Sequence, residues 1–203
     1  MNAASALVRL RGVGKPVVTT ADATLAFGGQ RAAAAQTLRR LAAAGLLVRV
    51  RHGLWAIEAG IDPLVLPSYL TAPYPSYVSL QSALFLHGMV SQIPTVIYVA
   101  TLGPTKRIRT SVGTFSLHRL APTFFGGYDV APDSGVPLAR PEKALVDLLY
   151  LGPARSRLFA HIPEVTISKG FDRRAARAWV ARIPDGSRRT SVERRLRRLL
   201  QPR

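Results

Sequence analysis

Apolar residues return at helical spacing through the first part of the chain and at alternate positions just after it. Ala3 to Val13 reads as a short helix with Leu7 and Leu10 three apart, ended by Gly12 and Gly14. "VVTTADATLAF" gives a second helix that Thr20 can cap through its hydroxyl, and Gly28-Gly29 breaks it. "QRAAAAQTLRRLAAAG" gives a third, with Ala34, Leu38, Leu41 and Ala42 on one face and Gly45 as its stop. "LLVRV" and "LWAI" then alternate on either side of His52-Gly53, which is a hairpin pattern with a basic tip.

Three short helices followed by a two-stranded ribbon make a winged helix-turn-helix, whose third helix enters a DNA groove while flanking parts grip the backbone. The face of that helix opposite its apolar stripe presents Ala33, Gln36, Arg39 and Arg40. Arg31 stands at its start, and Arg49, Arg51 and His52 occupy the wing. These seven polar positions, Arg31, Gln36, Arg39, Arg40, Arg49, Arg51 and His52, are the candidate DNA contacts. Alanines on the groove face imply few base contacts per copy, so specificity requires several copies on one site.

The pattern changes after residue 60. "EAGIDPLVLPSYLTAPYP" holds four prolines and no clear period, so residues 61–72 read as a linker between a domain at 1–60 and another at 73–203. In the latter, "SYVSLQSALFLHGMV" gives a helix that Ser79 can cap, with Leu80, Ala83, Leu84 and His87 on one face. His87 reads as a packed, hydrogen-bonded residue. "TVIYVAT" and "GTFSLHRL" are strands, and between them Lys106, Arg107 and Arg109 lie in a turn region. "GVPLARPEKALVDLLYLG" gives a short strand and a helix, Pro141 at the first helical position and Glu142 at the positive end; Leu145, Leu148 and Leu149 face inward.

Two basic helices close the chain. The first starts near Asp172, with Ala175, Trp179 and Val180 inward and Arg173, Arg174, Arg177 and Arg182 outward. In the second, Thr190 and Glu193 form a capping box; Val192, Leu196, Leu199 and Leu200 share one face and Arg194, Arg195, Arg197 and Arg198 the other. Like charges packed so closely repel one another, so an anionic surface would relieve them. DNA phosphate and an acidic protein both qualify, for these arginines and for Lys106, Arg107 and Arg109. The expected class is α+β: an N-terminal winged helix-turn-helix, then a larger mixed α/β domain with a helical basic C-terminus.

Charge reinforces this reading. The chain has 203 residues and carries 28 Lys and Arg against 11 Asp and Glu, a net +17, a balance that favours nucleic acid or an acidic partner. Residues 1–60 carry +6, residues 61–140 carry +2 and residues 141–203 carry +9. There is no cysteine, hence no disulfide or thiolate chemistry. No apolar run approaches the ~20 residues of a membrane span, and no secretory pattern opens the chain. A cytoplasmic location is expected.

Catalysis finds little support. "RGVGKP" lacks the glycine spacing of a phosphate loop, and Pro16 follows Lys15 where a hydroxyl residue would hold magnesium. The histidines at 52, 87, 118 and 161 are too scattered for a local zinc motif. Asp133 with Glu142-Lys143 lacks the usual spacing of a nuclease site. No catalytic residue, metal or cofactor is expected.

"YVSLQSALFLHGMV", "IPTVIYVAT" and "ARPEKALVDLLYL", placed in that order behind a winged helix, resemble the AbiEi family, the antitoxins of type IV toxin–antitoxin systems. The resemblance implies an operon-repressing DNA-binding domain and inverted-repeat operator DNA. It also implies a C-terminal domain that counters a nucleotidyltransferase toxin of the AbiEii type, and a monomer or weak dimer that binds DNA in multiple copies. The alternative reading is a winged-helix transcription regulator whose C-terminal domain senses a ligand or another partner, with no toxin.

Overall fold

The computed structural model describes residues 1–152 and 164–201. His161 lies outside them. The described residues divide into two compact units, one of 1–69 with 109–113, the other of 70–108 with 114–201.

The first unit runs α1 (Ala3–Arg11), β1 (Val17–Thr19), α2 (Thr20–Phe27), α3 (Arg31–Ala43), β2 (Val48–Arg51) and β3 (Leu54–Ala56). The three helices fall where the apolar spacing puts them. The ribbon gains a strand the alternation did not reveal: β1 pairs antiparallel with β3, so the sheet order is β1-β3-β2. Val17 and Val18, both buried, form that strand instead of leading into α2.

Thr19, not Thr20, caps α2. Its hydroxyl accepts the Asp22 N–H at 3.1 Å and the Asp22 carboxylate accepts the Thr19 N–H at 2.7 Å, a reciprocal capping box. Thr20 is instead buried, and its hydroxyl accepts a hydrogen bond from the Trp55 indole at 3.3 Å. That bond lets Trp55 sit in the core with Ala6, Leu10, Val18, Ala23, Leu38, Leu41, Leu47 and Ile57. Between α2 and α3 only three residues intervene; Gly28 adopts φ 66°, and its N–H reaches back to the Thr24 and Leu25 carbonyls.

Residues 61–72 include a 3-10 turn at Pro63–Val65 and a short helix, α4 (Pro67–Thr71). The second unit then contains β4 (Ser76–Val78), α5 (Leu80–Leu86), β5 (Ile97–Thr101), β6 (Lys106–Thr110), β7 (Gly113–Arg119), β8 (Tyr128–Val130), β9 (Pro137–Ala139), α6 (Pro141–Leu151), α7 (Arg173–Ala181) and α8 (Gly186–Leu200). Its six-stranded sheet has the order β6-β7-β5-β4-β9-β8, with β4–β9 and β5–β7 parallel and β4–β5 and β8–β9 antiparallel. The segment read as a basic turn is therefore the edge strand β6, where exposed Lys106, Arg107 and Arg109 suit an edge that must not pair further.

Every residue of α6 from Glu142 to Leu149 is buried, because α5, α7 and α8 all pack against it. Pro141-Glu142-Lys143 is thus more than a helix start. Glu142 accepts the Asp172 N–H at 2.8 Å. Lys143 and Asp147, one helical turn apart and both fully buried, form an ion pair. The Asp147 carboxylate also accepts hydrogen bonds from Ser79 Oγ at 2.7 Å and Tyr77 Oη at 3.1 Å. Ser79 therefore makes no side-chain cap on α5. The Lys143 ammonium lies 3.9 Å from the Phe124 ring centroid, 5.1 Å from Trp179 and 5.6 Å from Tyr77, a cation held over aromatic rings as well as by its counterion.

Burial pushes the Lys143 ammonium down and the Asp147 carboxyl up, and each charge opposes the shift of the other. Gly127, at φ 72°, admits the Trp179 ring, which would stand 2.6 Å from a Cβ there. α8 begins a turn earlier than the expected Thr190–Glu193 box. Asp185 is its cap, accepting the Arg188 N–H at 2.6 Å, and Thr190 lies within the helix, its hydroxyl donating to the Gly186 carbonyl.

Asp147→Asn keeps an acceptor for Ser79 and Tyr77 but leaves the Lys143 charge buried and unpaired. It should cost about 3–5 kcal/mol. The double variant Lys143→Met/Asp147→Asn should recover most of that loss. Urea unfolding of the single and double variants measures the difference.

Candidate nucleic-acid interface

On α3 the buried stripe is Ala34, Leu38 and Leu41, with Ala42 half-buried. At 3.6 residues per turn, Gln36, Arg39 and Arg40 project from the opposite side, and all three are exposed. Arg31 occupies the first helical position and is also exposed; Gln30 before it makes no side-chain cap bond. The Arg9 guanidinium donates to the Phe27 carbonyl at 3.1 Å, which ties α1 to the turn that presents α3.

In the β2–β3 hairpin, Arg49, Arg51 and His52 are exposed and Val50 is buried. Arg49 lies 5.7 Å above the Trp55 ring, and its Nη2 is 3.5 Å from His52 Nδ1. A core residue thus aims one of the hairpin's cations: Trp55, fixed by Thr20, supplies the ring on which Arg49 rests. Gly53, at φ 75°, closes the tip. Lys15 of "RGVGKP" is committed elsewhere, to the Asp22 carboxylate at 3.1 Å.

The C-terminal arginines form a separate set in the second unit. Arg173 and Arg177 of α7 and Arg197 of α8 line a groove of about 430 Å³ with Glu193, Leu196 and Leu200. Arg197 pairs with Glu193 at 3.3 Å. Arg174, Arg194 and Arg198 are exposed. Arg195 departs from the outward row: it is half-buried, with Nη1 3.4 Å from where a Cβ on Gly152 would stand. Inward positions also shift slightly, for Ala176 and Val180 are buried on α7 while Ala175 and Trp179 are half-buried.

The residues weighed for catalysis lie apart in role. Asp133 is exposed on a turn, whereas Glu142 is buried against the α7 N-terminus. His87 ends α5, its Nε2 2.7 Å from the Ala139 carbonyl, the packed role expected of it. His118 is buried on β7, hydrogen-bonded to Ser116 at 2.9 Å. Among the described residues no group of His, Cys, Asp and Glu could hold a metal ion, and no helix is long and apolar enough to cross a membrane.

The first unit is a three-helix module with a small antiparallel sheet, an exposed polar helix face and a cationic hairpin. Residues 5–57, which comprise nearly all of that module, match the AbiEi_4 family model, described as a transcriptional regulator, AbiEi antitoxin. The first unit is thus similar to an AbiEi-type transcriptional regulator domain, the family that the sequence motifs also resemble. The motifs that carried the resemblance lie beyond the matched stretch, in the second unit. A search of curated proteins finds no match.

Burial lowers the His118 pKa to about 4 from an ordinary 6.5. The unfolded chain therefore binds the extra proton first as pH falls. Stability contributed by neutral His118 is present above about pH 6.5 and lost towards pH 4, by up to about 3 kcal/mol. His118→Gln should flatten that part of the stability profile, measured as the wild-type minus variant difference in unfolding free energy from pH 7 to 4.

Proposed function

We propose that the chain is a DNA-binding antitoxin that represses its own operon and counteracts a cognate nucleotidyltransferase-type toxin. The observation that carries the DNA half is the placement of cations: Arg39 and Arg40 on the outward face of α3, and Arg49 and Arg51 on the hairpin beside it, all outside the core. We read the module as a winged helix-turn-helix. Two further features support that reading. The α3 N-terminus has no side-chain cap and begins with Arg31, a cation at the positive end of a helix, which gains most when a phosphate is near. The helix–turn–helix step is also short, as in DNA-reading motifs.

The antitoxin half rests on the family match and on the motifs of the second unit. On this reading the operator is inverted-repeat double-stranded DNA, bound by several copies of a monomer or weak dimer in the cytoplasm, and the system is of type IV. Residues 1–60 act as the DNA-binding domain, 61–72 as linker and 73–203 as the antitoxin domain.

An electrophoretic shift with DNA from directly upstream of its own coding sequence tests the repressor role; binding that ignores both sequence and salt would overturn it. Arg39→Ala/Arg40→Ala/Arg51→Ala should abolish operator binding while changing stability by no more than about 0.5 kcal/mol per site, since all three side chains are exposed. The same variant should still rescue growth during toxin expression. Loss of rescue with fold and abundance intact would mean that the first unit itself meets the toxin.

A further inference from the structure

In the first unit β3 is the central strand and β2 an edge. An edge strand offers unpaired N–H and C=O groups, and this one also carries a register shift between Arg49 and Arg51. Something occupies it. Ser111 donates its N–H to the Val50 carbonyl at 3.2 Å and its hydroxyl to the Arg49 carbonyl at 2.9 Å. Ser111 sits at the tip of the β6–β7 hairpin, whose residues 109–113 belong to the first unit.

The tip is stiff. The Thr110 hydroxyl donates to the Gly113 carbonyl at 2.8 Å and accepts the Val112 N–H at 3.2 Å. Arg109 is exposed and two residues before Ser111, so at most roughly 7 Å of extended chain separates it from the docked residue. Arg109 therefore leads into the residue docked on β2, the strand that carries Arg49 and Arg51. Like charge gathered on one rim repels itself unless an anion is shared.

We infer that residues 109–113 are a second wing, in which Arg109 contacts DNA phosphate beside the β2–β3 hairpin and Ser111 positions it. This rests on the DNA-binding reading above and goes beyond it by joining a distant part of the chain to the DNA surface.

The test uses the full chain and a labelled duplex of the DNA directly upstream of its coding sequence, with anisotropy titrations over a range of salt. Arg109→Ala should reduce the magnitude of the log–log salt slope by about 0.9, the value for one phosphate contact. Arg119→Ala, which removes the same charge from the far end of β7, should leave the slope unchanged. Ser111→Ala should weaken binding roughly two- to tenfold through loss of one hydrogen bond, and Ser111→Thr, which keeps a hydroxyl, should restore it. An Arg109→Ala slope equal to wild type, or one matched by Arg119→Ala, overturns the second wing while the DNA-binding reading stands. If Ser111→Thr fails as Ser111→Ala does, the positioning role is overturned. If the wild-type chain does not bind the duplex, the DNA-binding reading falls, and the second wing with it.

Discussion

A carboxylate buried without contact to water must be neutralised and hydrogen-bonded on every side, and Asp147 meets that requirement by drawing four parts of the second unit together. Its oxygens take Lys143 from its own helix and Tyr77 and Ser79 from β4 and the residue after it. Lys143 in turn requires ring faces, which Phe124 and the α7 residue Trp179 supply. Desolvating two charges costs several kcal/mol each unless geometry repays it. The strand, the 3-10 turn at Pro122–Phe124 and two helices are therefore held in one arrangement. Tyr77 adds to the constraint: burial, then the Asp147 charge, hold its phenol protonated, so it remains a donor.

The first unit handles charge the opposite way. Its core is apolar apart from the Trp55–Thr20 hydrogen bond, and its arginines lie outside. Arg39, Arg40 and Arg51 are exposed and outside that core, so changing them leaves the core untouched. The buried pair of the second unit has no such freedom, since each member exists to satisfy another. One chain thus separates charge that specifies structure from charge that remains available on a surface.

Several sequence expectations failed for a common reason. Thr19 and Thr20 are equally good caps by residue type; which one serves depends on Trp55 arriving from 35 residues away to take the other. Thr190 and Glu193 have the right spacing for a capping box, but Asp185 lies one turn earlier and starts the helix first. Lys106–Thr110 shows too little apolar alternation to declare a strand, yet pairing with β7 makes it one. Asp147 and Lys143 carried no signal except their four-residue spacing, the same spacing that marks ordinary exposed helix pairs.

Local pattern by itself determined the three N-terminal helices, the basic hairpin, the two arginine-rich C-terminal helices and the outward position of Arg39, Arg40, Arg49 and Arg51. Those features depend on residues within a few turns of one another, where helical and strand periods leave a direct record. Tertiary structure alone decided that Val17–Thr19 joins the ribbon as a third strand, that Glu142 and Lys143 are buried, and that Ser111 docks on β2. Each of these depends on a partner far along the chain: Leu54–Ala56 for β1, Asp172 and the aromatic rings for α6, and the β2 carbonyls for Ser111. A polar residue's sequence neighbours do not record which distant group will satisfy it, because that choice is made only when the chain has closed around it.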